Sequence, residues 1–234
     1  MSHYEKAWQA VVERVARAAQ SAGRAPADVQ LLAVSKTFPA DAIRSVYALG
    51  QRAFGENYVQ EAVAKIDALR DLSDVKWHMI GPMQSNKTAP VAANFDWVET
   101  VDRLKIAQRL SLQRPASASP LSVCIEVNAS GEPTKSGVAP EDTLALALEV
   151  ARLPRLRLRG IMGIPEATED TARLRGQFQV LRNCFDACRL AGLALDTLSM
   201  GMSADLETAI AEGATQVRVG TAIFGARSVQ PVAL

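Results

Sequence analysis

The sequence predicts an α/β protein folded as a single (β/α)8 TIM barrel over residues 1–234, with an extra helix at its N-terminus. Three observations carry that expectation. Eight short β-branched runs recur along the chain, and stretches of helical periodicity lie between most of them. Alternation of this kind implies a parallel sheet with right-handed crossovers. The length of 234 residues holds eight such units with little left over, which disfavours an open doubly wound sheet with a second domain.

The elements follow in order. MSHYEKAWQAVVERVARAAQ carries Glu5 and Glu13 and reads as an amphipathic helix over 2–22, not as a signal peptide. Strands are expected near 31–35, 52–54, 75–80, 97–100, 121–128, 156–162, 197–200 and 216–220. Helical periodicity covers 40–49, 59–69, 103–112, 143–153, 171–190 and 204–212, with stop glycines at Gly23, Gly50, Gly192 and Gly213. RPASASP (114–120) fits a surface loop before strand five. An eighth helix is missing from the pattern, since only 222–234 follow the last strand. The N-terminal helix is well placed to cover that gap.

Composition narrows the function. Lys plus Arg number 26 against 25 Asp plus Glu, a net charge of +1, so there is no basic field for displacing counterions from nucleic acid. No apolar run is long enough to cross a bilayer, and a cytoplasmic protein is expected. Cys124, Cys184 and Cys188 cannot all pair and suggest no disulfide framework. Cys184 and Cys188 share a helical face, but with only His3 and His78 in the chain they lack the further ligands that zinc needs. Scarce histidine also argues against a Ser-His-Asp hydrolase.

In such barrels reactive groups sit at the C-terminal ends of the strands. The first strand, LLAVS, ends in Lys36, whose amine can form a Schiff base if partly desolvated. Alone, this would be an ordinary loop lysine. Strand seven runs into Ser199-Met200-Gly201-Met202-Ser203, with Ser203 read as the N-cap of the next helix. Strand eight ends in Arg218-Val219-Gly220-Thr221. Loops after strands seven and eight are the recurrent phosphate site of this fold. Together with Lys36 they suggest a phosphorylated carbonyl compound, either pyridoxal phosphate or the sugar phosphate of an aldolase. Arg218 alternates with Val217 and Val219, so it points into the barrel mouth. Its partner there is an unprotonated pyridine nitrogen or an internal carboxylate, and strand pattern does not decide between them.

Other strand ends carry weaker signals. Asn57, in FGEN, is within reach of a bound ring. His78, in WHMIG, reads as a hydrogen-bonded core histidine before a cofactor-stacking one. Lys135 and Ser136, in GEPTKSG, face the mouth as solvated residues. Lys135 is also a weak candidate for a second site. Arg155, Arg157 and Arg159 read as rim ion-pairing groups.

The segments AVSKTFPADAI, FGENYVQE, WHMIGPMQSNK, KSGV, LRGIMGIP, LSMGMSADLETAIAEG and VRVGTAIFGAR resemble the pyridoxal phosphate homeostasis protein family, single-domain relatives of the alanine racemase N-terminal barrel. The resemblance runs from the first strand to the last. It implies a fold-type III barrel with pyridoxal 5′-phosphate held as a Schiff base on Lys36. It also implies Ser199, Met200, Ser203, Gly220 and Thr221 around the phosphate, Arg218 at the pyridine nitrogen and Asn57 by the ring. Met83, where a branched aliphatic residue is usual, is a departure that touches packing alone.

The resemblance implies a protein that buffers or delivers the cofactor, with pyridoxal phosphate-dependent apoenzymes as recipients. The competing expectation is a fold-type III amino-acid racemase or lyase. An arginine at the ring nitrogen damps carbanion chemistry, and racemisation needs a second acid–base group on the opposite face. In alanine racemases that group is a tyrosine from an added domain, and this chain has length for the barrel alone. A monomer without turnover is the expectation.

Overall fold

The computed structural model describes residues 3–226. Eight parallel strands close into a barrel in sequence order: β1 (Gln30–Val34), β2 (Ala53–Glu56), β3 (Lys76–Met79), β4 (Trp97–Val101), β5 (Leu121–Glu126), β6 (Leu156–Met162), β7 (Thr197–Ser199) and β8 (Gln216–Val219). Closure comes from β1 against β8, with Gln30 opposite Gln216 and Ala33 opposite Val219. All eight sequence-expected strands are present, with ends shifted by a few residues.

The connecting helices are α2 (Ala40–Ala48), α3 (Val59–Ala68), α4 (Thr88–Asn94), α5 (Leu104–Gln113), α6 (Thr143–Ala151), α7 (Thr171–Leu190) and α8 (Leu206–Ala211). Periodicity did not announce α4. It is only seven residues long and carries Pro90 in its first turn, where a missing N–H costs nothing.

Helix α1 (His3–Ser21) turns Val11, Val15, Ala18 and Ala19 inward and packs on α2, α8 and the short α9 (Thr221–Phe224). It therefore covers the side where a full eighth helix would lie, as expected. The space after β8 is not bare, however, because α9 begins directly after Gly220 and stacks Phe224 on Phe38 with ring centroids 5.1 Å apart. The expected helix start at Ser2 and the tail beyond residue 226 lie outside the described residues.

Strand alternation separates two interiors. Outward residues such as Trp77, Met79, Val98, Leu198, Val217 and Val219 join the helices in one continuous apolar shell. Several inward positions are polar: His78, Glu99, Ser199, Gln216 and Arg218 are all buried in the lumen. Burying those groups is tolerable only if they satisfy one another.

Candidate functional site

A cavity of about 290 Å³ opens at the C-terminal ends of the strands. Lys36 enters it from β1, Asn57 from β2, Ser203 from the turn after β7, and Arg218, Gly220 and Thr221 from β8 and its exit. Val34, Phe38, Ile80 and Ile164 supply apolar walls, and among the described residues no carboxylate lines the cavity. Lys36 is half-buried and Arg218 is buried.

The β1 exit is held by a buried ionic cluster. Lys65 Nζ donates to Glu56 Oε1 at 2.8 Å and to the Ser35 carbonyl at 2.9 Å, and it also pairs with Glu61. The Ser35 hydroxyl donates to Glu56 Oε1 at 2.6 Å, and the Thr37 N–H donates to Glu61 Oε1 at 2.6 Å. Both chain neighbours of Lys36 are thus pinned by one cluster, and Thr37 sits at φ 68°, a left-handed conformation that a β-branched residue holds only under constraint. Burial pushes the Glu56 carboxyl above its ordinary value, against the opposing charge of Lys65. The FGEN motif therefore contributes its glutamate to the site's foundation. The sequence reading missed that role, although a charged residue ending a buried strand was the available signal.

Asn57 is positioned by a close approach. A Cβ on Gly81 would lie 2.2 Å from the Asn57 carbonyl oxygen, so only glycine lets the β3 exit pack beneath it. The β7 exit differs from expectation. Asp205, not Ser203, precedes α8, and its carboxylate accepts the Met202 N–H to close a turn over 202–205. Ser203 stands in that turn, with its carbonyl accepting from Arg14 of α1 at 2.8 Å.

Two further residues picked out for the phosphate lie at the end of β7. Ser199 and Met200 are not among the residues lining the cavity. Met200 is buried in the apolar shell, and its N–H donates to the Gln216 carbonyl. The Ser199 hydroxyl lies in the lumen, where it donates to Glu99 Oε2 at 2.6 Å and accepts from Arg218 Nη1 at 2.7 Å. Arg218 also donates through Nη2 to the Gly163 carbonyl at 2.9 Å. The internal carboxylate that strand pattern allowed for Arg218 is Glu99, reached through the Ser199 hydroxyl and not by direct contact. Burial pulls the Arg218 pKa down from its ordinary value, and Glu99 opposes that pull.

Glu99 is the central lumen acid. It accepts from His78 Nδ1 and Gln216 Nε2, both at 2.7 Å, as well as from Ser199. Burial alone would raise its pKa, yet the bonds and charge from His78, with Arg218 nearby, hold it below the usual glutamate value. His78 is fully buried and lies flat on Trp97, with centroids 5.0 Å apart, so it is the hydrogen-bonded core histidine of the sequence reading.

The remaining groups lie outside the cavity. Lys135 pairs with Glu132 at 3.1 Å in its own loop. Arg159 pairs with Asp196 at 2.7 Å, as expected of a rim arginine. All three cysteines are free and buried, and no group of potential metal ligands occurs among the described residues. Among those residues no helix is long and apolar enough to cross a membrane.

Comparison with known proteins extends this picture. Residues 8–228 match the family described as alanine racemase, N-terminal domain. The pyridoxal phosphate homeostasis protein of Pseudomonas aeruginosa is 60% identical, and the alignment covers 93% of each chain. That of Escherichia coli K12 is 52% identical over 93% of this chain and 94% of its own. Among solved structures, PipY of Synechococcus elongatus with pyridoxal phosphate bound superposes with a TM-score of 0.80 at 40% identity, covering 90% of this chain and 100% of that one.

Proposed function

The chain belongs to the pyridoxal phosphate homeostasis protein family, and on that premise we propose that it holds pyridoxal 5′-phosphate in the mouth cavity and buffers or delivers it. One observation carries the reading. Lys36, Asn57, Ser203, Arg218, Gly220 and Thr221 come from four separate strand ends, and they meet in a single cavity whose described lining residues include no carboxylate. An amine, a guanidinium, an amide and two hydroxyls form a donor set suited to a phosphorylated aldehyde with a ring acceptor. The volume matches a small cofactor.

The roles follow from placement. Lys36 tethers the group covalently, as a Schiff base through Nζ. Ser203 and Thr221 offer hydroxyls to the phosphate, beside first-turn amides of α9 that have no intrahelical acceptor. Gly220 keeps that corner open. A Cβ there would press on the Val34 carbonyl at 3.1 Å. Arg218 meets the ring nitrogen and keeps a proton off it, since two cations would otherwise face each other. Asn57 borders the ring. Ser199 stands behind Arg218, and Met200 packs the strand against the shell.

When bound, the group supplies an aldehyde for amine capture and an electron-withdrawing ring. The chain adds little for turnover. Among the described residues that line the cavity, Lys36 and Arg218 are the titratable ones, and racemisation needs an acid–base group on each face of the substrate. That favours a carrier over a racemase or lyase. Pyridoxal phosphate-dependent apoenzymes are the proposed recipients. A monomer is the proposed state.

A visible-absorption titration with pyridoxal phosphate tests the reading. Wild-type protein is expected to develop a band that Lys36→Ala lacks, and no amino acid is expected to turn over steadily. A colourless wild type defeats the cofactor assignment. Steady racemisation or elimination, lost in Lys36→Ala, defeats the carrier assignment.

A further inference from the structure

Arg218 is buried at the junction of lumen and cavity, yet among the described residues no carboxylate stands in ion-pair contact with it. Its two terminal nitrogens are fixed by Ser199 Oγ at 2.7 Å and the Gly163 carbonyl at 2.9 Å. A hydroxyl has one proton to give and two lone pairs to accept with. Ser199 accepts from Arg218 and from Gln216 Nε2 at 3.0 Å, so its single proton goes to Glu99 Oε2 at 2.6 Å. The Gln216 amide spends its other proton on Glu99 Oε1, which also takes His78 Nδ1. Every bond in the chain therefore has a fixed direction, running from Arg218 through Ser199 to Glu99.

This geometry solves a specific problem. A buried guanidinium needs a counter-charge. A direct bidentate pair with Glu99 would turn its donor fork down the lumen, away from the cavity. One intervening hydroxyl keeps the carboxylate close while Arg218 still lines the cavity.

We infer that Glu99, acting through Ser199, is a positioning residue that fixes Arg218 and offsets its charge where it meets the ring nitrogen of the bound cofactor. The inference rests on the proposed function and extends it one layer beneath the cavity. Ser199, singled out in the sequence for the phosphate, becomes the relay between the two charges.

The test loads wild type, Ser199→Ala, Ser199→Thr and Glu99→Gln with pyridoxal phosphate. It reads the visible band position, the dissociation constant and the urea midpoint. Ser199→Ala and Glu99→Gln are expected to shift the band and weaken retention by about tenfold, the scale of losing a hydrogen bond to a charged group. Ser199→Thr keeps the hydroxyl and is expected to restore both. Combining Ser199→Ala with Glu99→Gln should add little, because one chain has already been cut.

Unchanged band and retention in folded Ser199→Ala overturn the inference, whatever happens to the urea midpoint, and leave a network that merely fills the lumen. If Glu99→Gln does not fold, the Ser199 pair decides alone. A wild type that takes up no chromophore overturns the proposed function and this inference with it. Normal loading of wild type with an unchanged Ser199→Ala overturns only the inference.

Discussion

Single side chains divide into those that touch the cavity and those that hold them there. Ser203→Ala and Thr221→Ala each remove one hydroxyl from the cavity wall without opening the core. Each is expected to raise the dissociation constant for pyridoxal phosphate several-fold while leaving the unfolding midpoint unchanged, as titration and urea denaturation would record. Lys65 behaves differently. Replacing it with methionine strands the fully buried Glu56 without its cation, and a stability loss of about 3–5 kcal/mol is expected in urea. Glu126 supplies a pH signature. Burial, aided by Asp102, raises its pKa to about 7 against the pull of Arg218. The folded state then keeps a proton that the unfolded chain releases, so this contribution is full below pH about 4.5 and is lost as pH rises through about 7. Glu126→Gln should therefore gain stability over wild type at pH 8, by up to about 3 kcal/mol, and lose that advantage toward pH 4.5. Paired urea titrations at the two pH values would measure it.

At the scale of elements, the strand exits matter more than the strands. The β3 exit leaves no room for a Cβ at Gly81, so Gly81→Ala must push the Asn57 backbone aside. We expect a loss of about 2 kcal/mol or more in urea, together with weaker cofactor retention, because the same displacement moves a cavity residue. Helix α1 reaches the cavity indirectly. Arg14 pairs with Glu207 of α8 and holds the Ser203 carbonyl, so the helix that covers the barrel's side also braces one cavity turn. The sequence located these elements well because each presents an apolar face of its own. It placed the start of α8 two residues early, since the Asp205 turn that delays the helix resembles a helical first turn in residue type. It missed α4 because seven residues give too little periodicity to register.

For the whole molecule, closure of the barrel is the decisive event. Once β1 pairs with β8, the inward positions of eight strands share one lumen, and the outward positions share one shell with the helices. Helix α1 completes that shell. Removing residues 3–21 would bare the apolar faces of α8 and α9, and the shortened chain is expected to unfold at lower urea or to associate on a sizing column.

The sequence by itself determined the eight strands, their order, the ends that carry reactive groups and the side on which each alternating residue falls. All of that is local, because a period of two or of 3.6 residues is written into a few consecutive positions. It also placed Lys36, Asn57, Ser203, Arg218, Gly220 and Thr221 at strand exits, and all six line the cavity. Which inward side chains meet was decided only by the closed barrel. Glu99 contacts Ser199 across 100 positions of chain and Gln216 across 117. No local pattern records such a contact, since it depends on how the strands stagger as they close. Strand pattern told that Arg218 points inward. Only the lumen shows that a hydroxyl stands between it and its acid.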